Sequence, residues 1–166
     1  MTGTGDGPVR VAFAADHAGA MLKDELLRRT AAARPDLELL DLGGDGSDPT
    51  DDYPDFARAI GLAVRDGAAD RGVLICGSGV GASVAANKVR GIRSAICHDT
   101  YSAHQGVEHD DMNILTLGSR VIGPEAASEC VLAFLAARFS GEPRHVRRLS
   151  KVMAIEAEET IAGGDR

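Results

Sequence analysis

Five short apolar runs punctuate this chain: VRVAFAA at 9–15, LELLDL at 37–42, RGVLIC at 71–76, IRSAIC at 92–97 and NILTLG at 113–118. Between them lie longer stretches rich in Ala, Leu and Arg. Strands that return through helix-length crossovers must pair in parallel, since a hairpin would leave only a few turn residues between neighbours. The continuous apolar character of the runs predicts burial on both faces of the sheet. The segments 18–33, 54–66, 79–89, 100–108 and 124–139 have helical length, and Pro54 and Pro124 suit the first turns of two of them.

The expected fold is α/β, a three-layer sandwich around a five-stranded parallel Rossmann-like sheet spanning 9–140. A length of 166 residues with 44% hydrophobic residues suits one such domain with a real core. Residues 1–8 read as a disordered tail, with neither the basic flank of a secretory signal nor the apolar length of a membrane anchor. A last helix over roughly 144–160 lies outside the alternating pattern. It carries Leu149, Val152, Met153 and Ile155 on a face that needs a partner, so 141–166 is expected to form an arm packing on a second subunit.

A formal net charge of -7 repels phosphate polymers and anionic membranes at long range, which argues against nucleic-acid or membrane partners. Any anionic ligand must therefore meet a local cluster of positive charge. Cys76, Cys97 and Cys130 are odd in number and irregular in spacing, the usage expected of reduced thiols in the cytoplasm. The loop GGDGSDPTDD at 43–52 is acidic, rich in glycine and expected to be mobile near a ligand.

Ligands of open parallel sheets sit beyond the carboxyl ends of the strands, so the residues just after each run carry the functional question. These are Asp16-His17, Asp52-Tyr53-Pro54, Cys76-Gly77-Ser78-Gly79-Val80-Gly81, His98-Asp99 and Ser119-Arg120. The glycines expose backbone N–H groups, and the helix starting near Gly79 points its positive end at the same place, which suits an anion. That helix end should also make Cys76 easier to ionise, a base or nucleophile rather than simply a small core residue. Gly77-x-Gly79-x-x-Ala82, with Asp99 about 20 residues on, also matches the dinucleotide fingerprint. It follows the third strand rather than the first, however, and leaves no second half for a nicotinamide. His98, His104 and His109 match no compact zinc spacing, and no cysteine pair accompanies them.

Taken together, AADHAG at 14–19, DYPDFA at 52–57, ICGSGVGASVAANKVRGIRSAIC at 75–97, NILTLGSRVIG at 113–123 and RHVRR at 144–148 resemble type B ribose-5-phosphate isomerase over about residues 9 to 156. The resemblance implies an aldose-ketose isomerase of carbohydrate metabolism, in the pentose phosphate pathway. It would move a proton between C1 and C2 of a sugar phosphate through an enediolate, with no metal or other cofactor. By the same resemblance Cys76 is the base, and the glutamate that a neighbouring branch uses is replaced here by Ala82. Ser78 and the N–H groups of Gly77, Gly79, Val80 and Gly81 hold the enediolate oxygen. Asp16 and His17 bind sugar hydroxyls or the ring oxygen, and His109 opens the furanose ring. Arg120, Arg144 and Arg148 bind the phosphate, the last two lying four apart on one helical face. A homodimer or tetramer is implied, each active site combining two subunits.

One position departs from the family pattern. Asp110 stands where relatives usually carry an asparagine that helps hold the substrate, and a carboxylate is repelled by an enediolate unless it is protonated, turned away or bonded to a hydroxyl. Ribose 5-phosphate is the leading substrate. Four-carbon sugar phosphates and galactose 6-phosphate are the alternatives, ahead of a non-catalytic sugar-phosphate sensor or a dinucleotide-binding domain.

Overall fold

A computed structural model describes residues 9–163 of the chain, so the tail expected at 1–8 lies outside the described residues. In order, the elements are β1 (Arg10–Ala15), α1 (Ala20–Ala33), β2 (Glu38–Asp41), α2 (Tyr53–Arg65), β3 (Arg71–Cys76), α3 (Val80–Ala86), β4 (Ser94–Ile96), α4 (Thr100–Asp110), β5 (Ile114–Gly118), α5 (Pro124–Ala136) and α6 (Pro143–Gly163). All strand pairs are parallel, in the spatial order β2-β1-β3-β5-β4.

Side chains alternate across β1 as a pleated strand requires. Val11 and Phe13 face a core closed by Leu26, Val107, Cys130 and Phe134 of α1, α4 and α5. Ala12 and Ala14 face a second core, closed by Ala57 and Ile60 of α2 and Ala82 and Ala86 of α3. The predicted three layers result. Two-sided burial holds for β1, β3 and β5 but fails for β2 and β4, whose burial is only partial. These are the two edge strands, and an apolar run does not reveal its place in the sheet.

Helix ends differ from expectation where side chains intervene. The α3 helix stops at Ala86 rather than 89, because the Asn87 amide turns to the backbone of Ser94, accepting from its N–H at 2.9 Å and donating to its carbonyl at 2.8 Å. The α5 helix ends at Ala136 rather than 139, where the Arg71 guanidinium donates to the carbonyls of Phe134 and Ala137. Cys97 and Cys130 are buried and free, as core residues.

Beyond the sheet, α6 is tied to the body where Gly91 N–H donates to Glu156 Oε1 at 2.8 Å. Val152 and Ile155 of this helix stay 52% and 62% exposed, so its apolar stripe is largely uncovered within one chain. Beside it runs a groove of about 790 Å³, with Ile92, Met112, Leu149, Val152 and Ile155 among its apolar walls. Among the described residues no helix is long and apolar enough to cross a membrane.

Candidate active site

The chain leaves β1 toward β2 on one side, then returns past β1 to β3, so the connections diverge at the carboxyl ends of β1 and β3. Such a divergence opens a crevice. Asp16 follows β1 and Cys76 ends β3, and here they meet. Asp16, 5% exposed, accepts from Gly19 N–H at 3.0 Å through Oδ1. Through Oδ2 it accepts from the Cys76 thiol at 2.9 Å.

Burial together with this contact overturns the expected ionisation of Cys76. Burial pushes the thiol above its ordinary range, and the hydrogen bond and charge of Asp16 push it further, while the N–H groups of Gly79 and Gly77 pull the other way. The α3 helix has only seven residues, and a carboxylate in contact outweighs the positive end of so short a helix. In the free protein the sulfur therefore keeps its proton at neutral pH.

His17 projects beside this pair. Its Nδ1 lies 2.6 Å from Asp51 Oδ1, which also accepts the His17 backbone N–H at 3.0 Å. The hydrogen bond to Asp51 raises the imidazole above its ordinary value, desolvation opposing. Asp51 belongs to the acidic loop and was not singled out in the sequence. That loop is seated on the sheet, with Ala15 N–H donating to Gly43 O at 3.3 Å and Gly44, at φ +83°, so close to the Ala15 carbonyl that no Cβ could fit.

The glycine run answers partly to the protein's own packing. Gly79 takes φ +84°, and a Cβ there would sit 3.2 Å from the Leu117 carbonyl. At Gly81 a Cβ would lie 2.7 Å from the Tyr53 ring, and at Gly77 it would lie 3.6 Å from the Arg120 guanidinium. Ser78 is exposed, and its Oγ accepts from Val80 N–H at 3.3 Å. Arg120 is anchored by its N–H to Gly77 O at 3.0 Å, and the preceding Ser119 donates to Cys76 O at 2.8 Å. Asp16, His17, Cys76, Gly77, Ser78, Gly79, Val80, Gly81 and Arg120 thus share one edge of the sheet. His98 and Asp99 have structural bonds there: His98 Nε2 accepts from Gly118 N–H at 2.9 Å, and Asp99 caps α4 by accepting from Ser102 N–H at 2.7 Å.

The remaining predicted residues are elsewhere. His109 and Asp110 end α4, just ahead of the amino end of β5, whereas Cys76 pairs with Gly118 at its carboxyl end. The five residues of β5 alone span roughly 13 Å at about 3.3 Å per residue. The start of α6 joins this far end through Ser140 N–H to Glu108 O at 3.0 Å and through the His145 ring, whose centroid is 4.0 Å from that of His109. Arg144 pairs with Glu142 at 3.0 Å, and Arg148 lines the groove together with Asp110. One chain therefore holds two separate clusters. His145 and Gln105, the latter 2.7 Å from His109 Nδ1, were missed. His145 was legible as the first member of the stripe His145, Leu149, Val152, but the arginines around it drew the reading.

An open parallel sheet with a thiol, a carboxylate and a glycine loop at its switch point defines a class of small-molecule enzyme. The comparisons are more specific. A family model described as Ribose/Galactose Isomerase matches residues 11–152. Ribose-5-phosphate isomerase B of Escherichia coli is 44% identical over 147 residues, covering 89% of this chain and 96% of that protein. D-erythrulose-4-phosphate isomerase of Pectobacterium atrosepticum is 40% identical over 131 residues, covering 79% and 85%. The crystal structure of ribose-5-phosphate isomerase B from Mycoplasma genitalium with bound ribulose-5-phosphate superposes with a TM-score of 0.84 at 36% identity, covering 92% of this chain and 99% of that one. This chain belongs to the ribose/galactose isomerase family and is an isomerase.

Proposed function

We propose that this protein interconverts ribose 5-phosphate and ribulose 5-phosphate as a cytoplasmic homodimer, each active site built from the Cys76 cleft of one subunit and the His109–Arg148 end of the other. The observation that carries the chemistry is the buried Cys76 thiol bonded to Asp16 inside the glycine loop. In the opened aldose, Cys76 as thiolate removes the C2 proton, and the negative charge developing on oxygen is met by the loop N–H groups and Ser78. The same proton returns to C1 while the hydroxyl proton moves from O2 to O1, giving the ketose. The thiol proton passes to Asp16 Oδ2, 2.9 Å away, and the resulting carboxyl donates to a sugar oxygen, which leaves Cys76 as the thiolate that takes the C2 proton.

The two-subunit arrangement is supported by the separation of the clusters and by the uncovered α6 face beside its apolar groove. A second chain would bring His109 to open the ring and Arg144 and Arg148 to join Arg120 at the phosphate. The free thiols support a reducing compartment. Resemblance to the erythrulose-phosphate enzyme and the carboxylate at Asp110 favour a four-carbon sugar phosphate as the second reading.

Two experiments test this. Purified protein in EDTA, offered four-, five- and six-carbon aldose and ketose phosphates, is expected to turn over ribose 5-phosphate with the highest kcat/KM. Preference for a four-carbon substrate would replace the first reading with the second. Cys76→Ala and His109→Ala proteins, unfolded and refolded together in equal amounts and assayed from ribose 5-phosphate, on which each alone is inactive, are expected to regain about a quarter of normal activity, because mixed dimers hold one intact site. No recovery, despite mixed dimers forming, would refute the shared site.

A further inference from the structure

His109 is gripped from two sides by groups to which the family resemblance assigned no role. Within α4, Gln105 lies one turn before it, and the Gln105 amide nitrogen is 2.7 Å from His109 Nδ1. An amide NH₂ can only donate, so Nδ1 is the acceptor and the neutral ring carries its proton on Nε2. From α6, His145 stacks on it with centroids 4.0 Å apart and planes inclined by 31°. His145 is 1% exposed, its Nδ1 is 2.6 Å from Ser140 Oγ, and its buried Nε2 has no hydrogen-bond partner among the described residues.

Leaving a buried ring nitrogen unpaired has a cost of its own, and an aliphatic side chain would fill the space without it. Burial and the neighbouring His109 both lower the His145 pKa, so this ring stays neutral under its neighbour. The stack is therefore one fixed, uncharged plate beneath the His109 ring. We propose that Gln105 and His145 are positioning residues for His109, the amide selecting the nitrogen that bears the proton and the buried ring fixing the plane in which it is presented. The inference rests on the ring-opening role given to His109 above.

Ring opening is needed only from the aldose side, because ribulose 5-phosphate has no furanose form to open, and in the other direction the open-chain aldose can leave the site and close in solution. Initial rates in the two directions therefore separate this step from proton transfer at Cys76. The other charged groups facing His109 are Glu108, whose Oε2 is 3.8 Å from Nε2, and the adjacent Asp110. Arg144, Arg148 and Glu142 surround His145.

Gln105→Glu puts a carboxylate at Nδ1, turns that nitrogen into a donor and favours the imidazolium. It is expected to move the His109 limb of the aldose-direction pH profile upward by about one unit. His145→Ala is expected to lower aldose-direction kcat/KM about tenfold or more, and His145→Phe, which keeps the plate, by less than about threefold. Ketose-direction initial rates should change less than about twofold in all three. Measurements on the full-length protein would include melting temperature, with His109→Ala as reference. If His109→Ala is impaired selectively from the aldose side, but Gln105→Glu leaves the pH profile in place or His145→Ala slows both directions equally, the positioning inference is overturned and the His109 reading survives. A symmetric loss in His109→Ala itself overturns both.

Discussion

The two ends of the sheet are built on opposite terms. At the carboxyl end Asp16 has a partner for each oxygen, Cys76 is satisfied by Asp16, and His17 is held by Asp51. At the other end His145 Nε2 has no partner among the described residues, Arg148 lines an open groove, and the apolar face of α6 is largely exposed. The first is a set of polar contacts that one chain satisfies for itself; the second is a surface whose apolar face one chain leaves exposed. The contrast teaches where to cut, because loss of Cys76 should abolish chemistry and spare assembly, while loss of the whole of α6 should strike binding and assembly together.

The largest effect is expected at the carboxyl end. Cys76→Ala removes little volume and should reduce turnover by more than about a thousandfold, with melting temperature and sugar-phosphate binding by calorimetry nearly unchanged. Near-normal turnover would end the thiol-base reading. A chain truncated after Gly141 attacks the other end, losing Arg144, Arg148 and the α6 stripe. Sedimentation should show the dimer weakened, and KM should rise by about a hundredfold; a truncated dimer with unchanged KM would erase the distinction between the ends.

A third prediction concerns the core beneath both. Burial pushes the Cys97 thiol up to about 11 from an ordinary 9.0. A raised folded-state pKa gives stability that is complete below about pH 9 and lost as pH rises through about 11, amounting to about 2–3 kcal/mol. Urea midpoints should fall over that window, and the fall should be smaller in Cys97→Ala; an equal fall would exclude Cys97 as a source. The smallest effect is expected at Asp110. Asp110→Asn should change kcat/KM for ribose 5-phosphate by less than about threefold if the carboxylate points away from the sugar. If it instead accepts a hydroxyl of another sugar, about 1.5–3 kcal/mol should be lost on that sugar while ribose 5-phosphate turnover improves.

Hydrophobic runs and proline positions located every strand and helix to within a few residues, because those signals are local. The sheet order was not local: nothing in NILTLG says that β5 inserts between β3 and β4. The same limit explains the reversed expectation for Cys76. The glycines beside it were visible, but burial raises the thiol first and Asp16, touching it from sixty residues away, raises it further, and neither is local to the loop. Strand-end logic grouped Asp16, His17, Cys76 and Arg120 correctly. It had no means of seeing Asp51 reach back to His17, or Tyr53 lie over Gly81.

The Asn87 amide has a consequence for how copies of this protein can accumulate. β4 is an edge of only three residues, and Asn87 already occupies both the N–H and the carbonyl of Ser94. An incoming strand would find the middle of that template taken. The opposite margin, β2, carries Glu38 and Asp41 on four residues, and charge discourages strand addition there. Growth of the sheet from molecule to molecule is disfavoured at both margins, which leaves self-association to the helices. A crowded solution of this protein should therefore resist fibre growth by strand addition.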